Sequence, residues 1–187
     1  MKKNIIIPTV ALFVICLVAT TLLAFANQVT APLIEKLAVQ TEIDARKTVL
    51  AKAETFEEKK SGNIDYVVGF DKDGKEVGMV FTKTAKSYGG EIIVMTGIDN
   101  EGKVSGVEIL QINDTPGLGM NAQKPEFKNK FIGLNDIITV KKNSADANNN
   151  EIDAISGATI SSKAVADAVN AAIADYKTIT EGKAGAN

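Results

Sequence analysis

A chain of 187 residues with a formal charge of −2 has room for one domain of about 100 to 150 residues and a short appendage. It contains no His, no Trp and one Cys, which removes a Ser-His-Asp triad, a Cys-His pair, a histidine zinc site, a c-type haem motif, cysteine-ligated iron–sulfur clusters and any disulfide within one chain. Lys2 and Lys3 are the only charges in the first 26 residues; without them the charge is −4, which leaves no basis for a clustered basic face toward nucleic acid. Any redox chemistry must therefore be carried by a cofactor held by hydroxyls and backbone.

Residues 1–4 form a short basic lead. Residues 5–26, "IIIPTVALFVICLVATTLLAFA", carry no charge. Their length matches the roughly 20 residues that span a bilayer's hydrocarbon layer as a helix. Lys2 and Lys3 precede this run and "NQVTAPLI" after it is uncharged, so the positive-inside bias predicts a cytoplasmic N-terminus and an extracytoplasmic remainder. "AFA" at 24–26 resembles a signal-peptidase site, yet the apolar run is longer than a cleavable segment's 7 to 15 or so residues, which favours a retained single-pass anchor in the membrane lipid. With no ionisable group inside it, the span alone is not an ion pathway.

Residues 27–60 read as a juxtamembrane helix and linker. Leu33, Leu37, Ala45, Val49 and Ala53 recur near helical spacing from Pro32 to Ala53, and "EEKKSGN" at 57–63 reads as a solvated loop. From 61 to 187 a single domain is expected. "IDYVVGF" and "EVGMVFT" flank "DKDGK", whose Asp73-Gly74 pair signals a hairpin. "EIIVMTGI" (91–98) and "VSGVEILQI" (104–112) add two more strands around "DNEG", giving at least four antiparallel strands. A short helix near Pro125–Phe131, a strand in "IITVKK" and a polar loop in "NSADANNN" follow. Val165, Val169, Ala172, Ile173 and Tyr176 then form one apolar stripe of a C-terminal helix. Strands closed by a terminal helix make the class α+β.

"DAISGATISSKAVADAV" (153–169) leads into that helix. One reading makes Thr159 or Ser161 its N-cap, accepting from an orphan backbone N–H. The other uses the same free N–H groups and the positive end of the helix dipole as an anion site, with Gly157 and Ala158 admitting a bulky phosphorylated ligand close to the backbone. No glycine-rich dinucleotide fingerprint follows a strand, so no hydride-donor site is visible.

Three ordered stretches carry a family resemblance. Asp153-Ala154-Ile155-Ser156-Gly157-Ala158-Thr159 resembles the D-x-x-[ST]-G-A-[TS] pattern at which a flavin transferase links FMN through its phosphate to the last hydroxyl. "SYGGEIIVMTGIDNEGKVSGVEIL" (87–110) and "TPGLG" (115–119) resemble the other signatures of the FMN-binding G subunit of the Rnf electron-transport complex, a close relative of the C subunit of the Na⁺-translocating NADH:quinone reductase. The chain's length favours the Rnf protein.

The resemblance implies covalent FMN, as a phosphodiester on Thr159, with hydrogen bonds from Ser156, Gly157 and Ala158. It implies a role for Asp153 either in recognition by the transferase and its metal or in supporting the turn. Tyr88, Gly89 and Gly90 would lie near the isoalloxazine, as would the turn Thr115, Pro116, Gly117, Leu118 and Gly119, with Leu118 in apolar contact with the ring. Asp114 stands where the family often has Glu, which leaves that carboxylate's role open. The implied function is an electron relay between partner subunits of an Rnf-type complex that runs between ferredoxin and NAD⁺ and moves Na⁺ or H⁺, with ion movement belonging to the partners. The rival readings are an anchored FMN redox sensor and a flavin-free extracytoplasmic binding module.

Overall fold

The computed structural model describes residues 3–184, so Lys2 of the basic lead lies outside the described residues. The chain forms two compact units, residues 1–41 and 42–187.

The first unit is helical. It belongs to α1 (Lys3–Val49), which contains both Pro8 and Pro32 and is long and apolar enough to cross a membrane. A separate helix starting at Pro32 was expected, whereas α1 runs through that position. The segment before Pro32 holds no glycine to stop it, and a proline removes only one i→i−4 bond. Thr20, Thr21 and Thr30 return their hydroxyls to carbonyls three or four residues back, so these polar side chains are satisfied within the helix.

The second unit is built on a five-stranded antiparallel sheet in simple sequential order: β1 (Thr55–Ser61), β2 (Ile64–Phe70), β3 (Glu76–Ser87), β4 (Gly90–Asp99) and β5 (Val104–Gln111). β1 occupies the stretch "TFEEKKS", much of which reads as loop in the sequence. Only Phe56 in it is shielded from solvent, and its register on β2 runs from Thr55 opposite Phe70 to Ser61 opposite Ile64. A strand with charges on both faces is stable here because it lies at the sheet edge, where charge also discourages pairing with another chain. The β2–β3 and β4–β5 connections repeat one design. Asp71 Oδ1 accepts from the N–H groups of Asp73 and Lys75, and Asp99 Oδ1 from those of Glu101 and Lys103, with Gly74 and Gly102 in the left-handed region.

Both faces of the central strands are covered. On one, α3 (Thr159–Ala184) lays Ala164, Val165, Ala168, Val169, Ala172 and Ile173 onto Phe81, Ile92, Val94 and Ile98. On the other, Ala45, Val49, Leu50 and Ala53 meet Val80 and Met95. Between β5 and α3 run a 3₁₀ turn (Gly119–Gln123), the short helix α2 (Pro125–Lys128), and a two-stranded parallel pair, β6 (Thr139–Lys141) and β7 (Glu151–Asp153). Phe127 and Phe131 anchor this crossing segment edge to face at 5.5 Å, and Lys128 Nζ bonds Glu108 of β5 at 2.6 Å. The architecture is α+β, and it brings the β3–β4 turn, the loop after β5 and the start of α3 to one place.

Candidate functional site

The start of α3 is shaped by a turn whose residues are consecutive. Ala158 N–H donates to Ile155 O at 2.9 Å, and Gly157, third in the turn, sits at φ +75°, a conformation that glycine adopts without penalty. Ser162 N–H donates to Ala158 O at 3.0 Å, so Ala158 accepts the first intrahelical bond and occupies the N-cap position. This corrects the capping reading. Thr159 is the first helical residue, and Ser161 is buried in the first turn. The hydroxyl that organises the turn belongs to Ser162, which accepts from Ile155 N–H and donates to Ala158 O, both at 2.9 Å.

The consequence falls on Thr159. Among the described residues its hydroxyl makes no hydrogen bond, and the N–H groups of the first turn lack intrahelical acceptors. Thr159 lines a cavity of about 460 Å³ together with Tyr88, Asp114, Thr115, Leu118, Gly119, Gly157, Ala158, Ile160 and Ser161. It also lines an adjoining hollow of about 340 Å³ walled by Lys142, Asn143, Ala154, Ile155, Ser156 and Gly157. The larger space has an apolar rim: Tyr88 is 72% exposed, Ile160 57% and Leu118 44%. The smaller one is polar and holds a lysine.

The loop after β5 reaches the cavity through a second turn. Leu118 N–H donates to Thr115 O at 3.1 Å across Pro116 and Gly117, the latter at φ +78°, and Asn121 Nδ2 bonds Gly117 O at 2.6 Å. Pro116 supplies the fixed φ of the second turn position and Gly117 the positive φ of the third. Thr115 and Leu118 thereby face the cavity, while Pro116 and Gly117 do not line it.

Asp114 is the residue that sequence reasoning left open. It is 4% exposed, and it accepts from Ser87 Oγ at 2.5 Å and from Gly89 N–H at 2.6 Å, with the Ser161 hydroxyl close by across Gly119. Burial pushes its carboxyl up, but the donor groups of Ser161, Ser87 and Gly89 around it together hold it below the ordinary aspartate value. Gly89 and Gly119 permit this closeness. A Cβ on Gly89 would lie 2.1 Å from Asn113 O, and one on Gly119 would lie 2.5 Å from both Asp114 Cβ and Ser161 Oγ.

Of the residues singled out in the sequence, the structure gathers Tyr88, Thr115, Leu118, Gly119, Gly157, Ala158 and Thr159 around the cavity. Ser156 lines the adjoining hollow. Gly89 and Gly90 shape the turn that carries Tyr88. Asp153 lies elsewhere, its Oδ1 accepting from Ala145 N–H at 3.0 Å. Ile160 and Ser87 were not singled out, and Ser161 only as a helix cap; no local pattern marks their place at the cavity, because it depends on Asp114 and on the folded loop.

Residues 87–174 match the family model described as "FMN-binding domain", a stretch that begins at the Ser87 bonded to Asp114 and ends inside α3. The chain is 37% identical to the G subunit of the Na⁺-translocating ferredoxin:NAD⁺ oxidoreductase complex of Acetobacterium woodii, over 91% of this chain and 90% of that protein. The chain belongs to the family of Rnf G subunits, components of ion-translocating oxidoreductase complexes. A second member of this Rnf family, from the proton-translocating ferredoxin:NAD⁺ oxidoreductase complex of Clostridium ljungdahlii, is 32% identical over 97% of each chain. The crystal structure of Shewanella oneidensis NqrC shares the fold with a TM-score of 0.51, at 19% identity, covering 67% of this Rnf family chain and 66% of its own.

Proposed function

We propose that this protein is the electron-relay subunit of a membrane-bound, redox-driven ion pump of the ferredoxin:NAD⁺ oxidoreductase type, carrying FMN covalently through its phosphate on Thr159. Bound there, FMN supplies one- and two-electron chemistry that no side chain of this composition provides. The single observation that carries the proposal is the Thr159 hydroxyl, without a hydrogen-bond partner among the described residues, on the first residue of α3 in the wall between an apolar-rimmed cavity and a polar hollow. A cavity of about 460 Å³ lies within the roughly 300–1,000 Å³ range of small-molecule sites. The residues fit the group.

In this reading Tyr88, Leu118 and Ile160 would hold the ring, and the N–H groups at the head of α3 would hold the phosphodiester, whose remaining negative charge the helix dipole would favour. Ser156, Gly157 and Ala158 form the turn beside it. A covalent tether suits an extracytoplasmic carrier, because a dissociated flavin would be lost while a tethered one keeps a fixed local concentration. A flavin transferase installs the group, for which Asp153 is a recognition element. α1 anchors the chain with its N-terminus in the cytoplasm, and electrons pass between partner subunits. Ion movement belongs to those partners, since the relatives named for Na⁺ and for protons are both similar to this chain.

The test is the intact mass of the full chain co-expressed with a flavin transferase, with in-gel flavin fluorescence after denaturation. A gain of one FMN less one water, mapped to the peptide containing Thr159 and absent in Thr159→Ala, is the expected result. Full flavin retention in Thr159→Ala overturns the assignment.

A further inference from the structure

Among the described residues Asp114 is the one charged side chain lining the cavity, and it meets two segments far from it in the chain. Ser87 ends β3, Gly89 lies in the β3–β4 turn that carries Tyr88, and Ser161 sits in the first turn of α3, two residues after Thr159. Asp114 itself opens the 115–119 loop that carries Leu118. The pocket rim is therefore assembled on one carboxylate. The fit around it is close: a methyl group added at Gly119 would strike Asp114 and Ser161 together.

From this geometry we infer that Asp114 is a positioning residue, whose carboxylate latches the Tyr88 turn and the Leu118 loop to the head of α3 and places one fixed negative charge in the wall of the ring pocket. Two consequences follow, and only the second rests on the proposed flavin. First, removing the charge weakens the hydrogen bonds to Ser87 and Gly89 and the attraction to the nearby Ser161 hydroxyl at once, because a charged acceptor holds each donor more strongly than a neutral amide does. The turn and the loop then open locally without global unfolding. Second, a fixed negative charge beside the ring opposes the arrival of electrons there, so Asp114 lowers the reduction potential of a flavin in this pocket.

The experiment uses the full chain in detergent micelles, as wild type, Asp114→Asn and Ser161→Ala. In the first arm, protein made without a flavin transferase is followed by backbone amide exchange. Peptides covering 87–90 and 115–121 should exchange about tenfold faster in Asp114→Asn, while the distant 71–75 turn keeps its wild-type rate. Ser161→Ala should show the same pattern, more weakly; it decides this arm if Asp114→Asn does not fold. Unchanged exchange in both segments overturns the latch.

In the second arm, flavin-loaded protein is titrated for its midpoint potential. Asp114→Asn should favour the reduced flavin by about tenfold, equivalent to about +30 mV for a two-electron couple. Ser161→Ala, which keeps the charge, should move the potential less. A loaded Asp114→Asn protein at the wild-type potential overturns the electrostatic role. Should wild type carry no flavin, the relay assignment falls, and the exchange arm still decides the latch.

Discussion

Replacing Gly97 with Ala should detach the end of α1 from the sheet. Gly97 and Gly106 form a floor on β4 and β5 against which the backbone of Val49 rests, and Ser105 Oγ donates to Val49 O at 2.6 Å. A Cβ on Gly97 would lie 2.3 Å from Val49 O and 2.7 Å from Ser105 Oγ, so a shift on the order of 1 Å is needed to restore ordinary contact. Val49 O is backbone and cannot rotate away. Overpacking of this kind costs about 1–3 kcal/mol, and losing the Ser105 bond costs about 1 kcal/mol more. For a domain of this size, 2–4 kcal/mol lowers Tm by roughly 5–15 °C.

The assay is a thermal melt of the full chain in detergent micelles, read beside Gly182→Ala. Gly182 lies in α3 with nothing near a notional Cβ and no positive φ, so alanine there should stabilise, by about 0.5–1 kcal/mol at most. A Gly97→Ala protein melting with wild type would refute the close-packing account of this face.

Two further outcomes are expected. Asp114 is held below the ordinary aspartate value, so its contribution to stability is fully present above that value and is lost as pH falls through the folded one. The wild-type advantage over Asp114→Asn in denaturant titrations should therefore be largest near neutrality and shrink below about pH 4; a gap that widens in acid would contradict the assigned hydrogen bonds. Leu118 is 44% exposed at the cavity rim, so Leu118→Ala should cost less than about 1 kcal/mol of stability while making the fluorescence of a tethered flavin more accessible to a soluble quencher. Unaltered quenching would remove Leu118 from the ring's surroundings.

Much of this protein is written in runs of consecutive residues. The uncharged stretch at 5–26, the alternation in β2 to β5, the stripe on α3 and the Pro116-Gly117 turn are all legible, because periodicity, turn chemistry and lipid solubility are properties of a few neighbours. The three motifs likewise pointed to the right family, since each is local. What escaped was set by partners distant in the chain. β1 carries charges that read as loop and becomes a strand only because β2 offers an edge, and β7 forms only against β6. Helix capping by Thr159 or Ser161 was a fair local expectation, yet Ser162 holds the turn and Ser161 is buried near a carboxylate on another segment. Asp114 is the clearest case: nothing beside it in sequence reveals that it meets Ser87, 27 residues earlier, and the head of α3. A lone aspartate before a turn is cheap to solvate in an extended chain. Only folding removes its water and replaces it with these donors, which is why its role belongs to the tertiary structure.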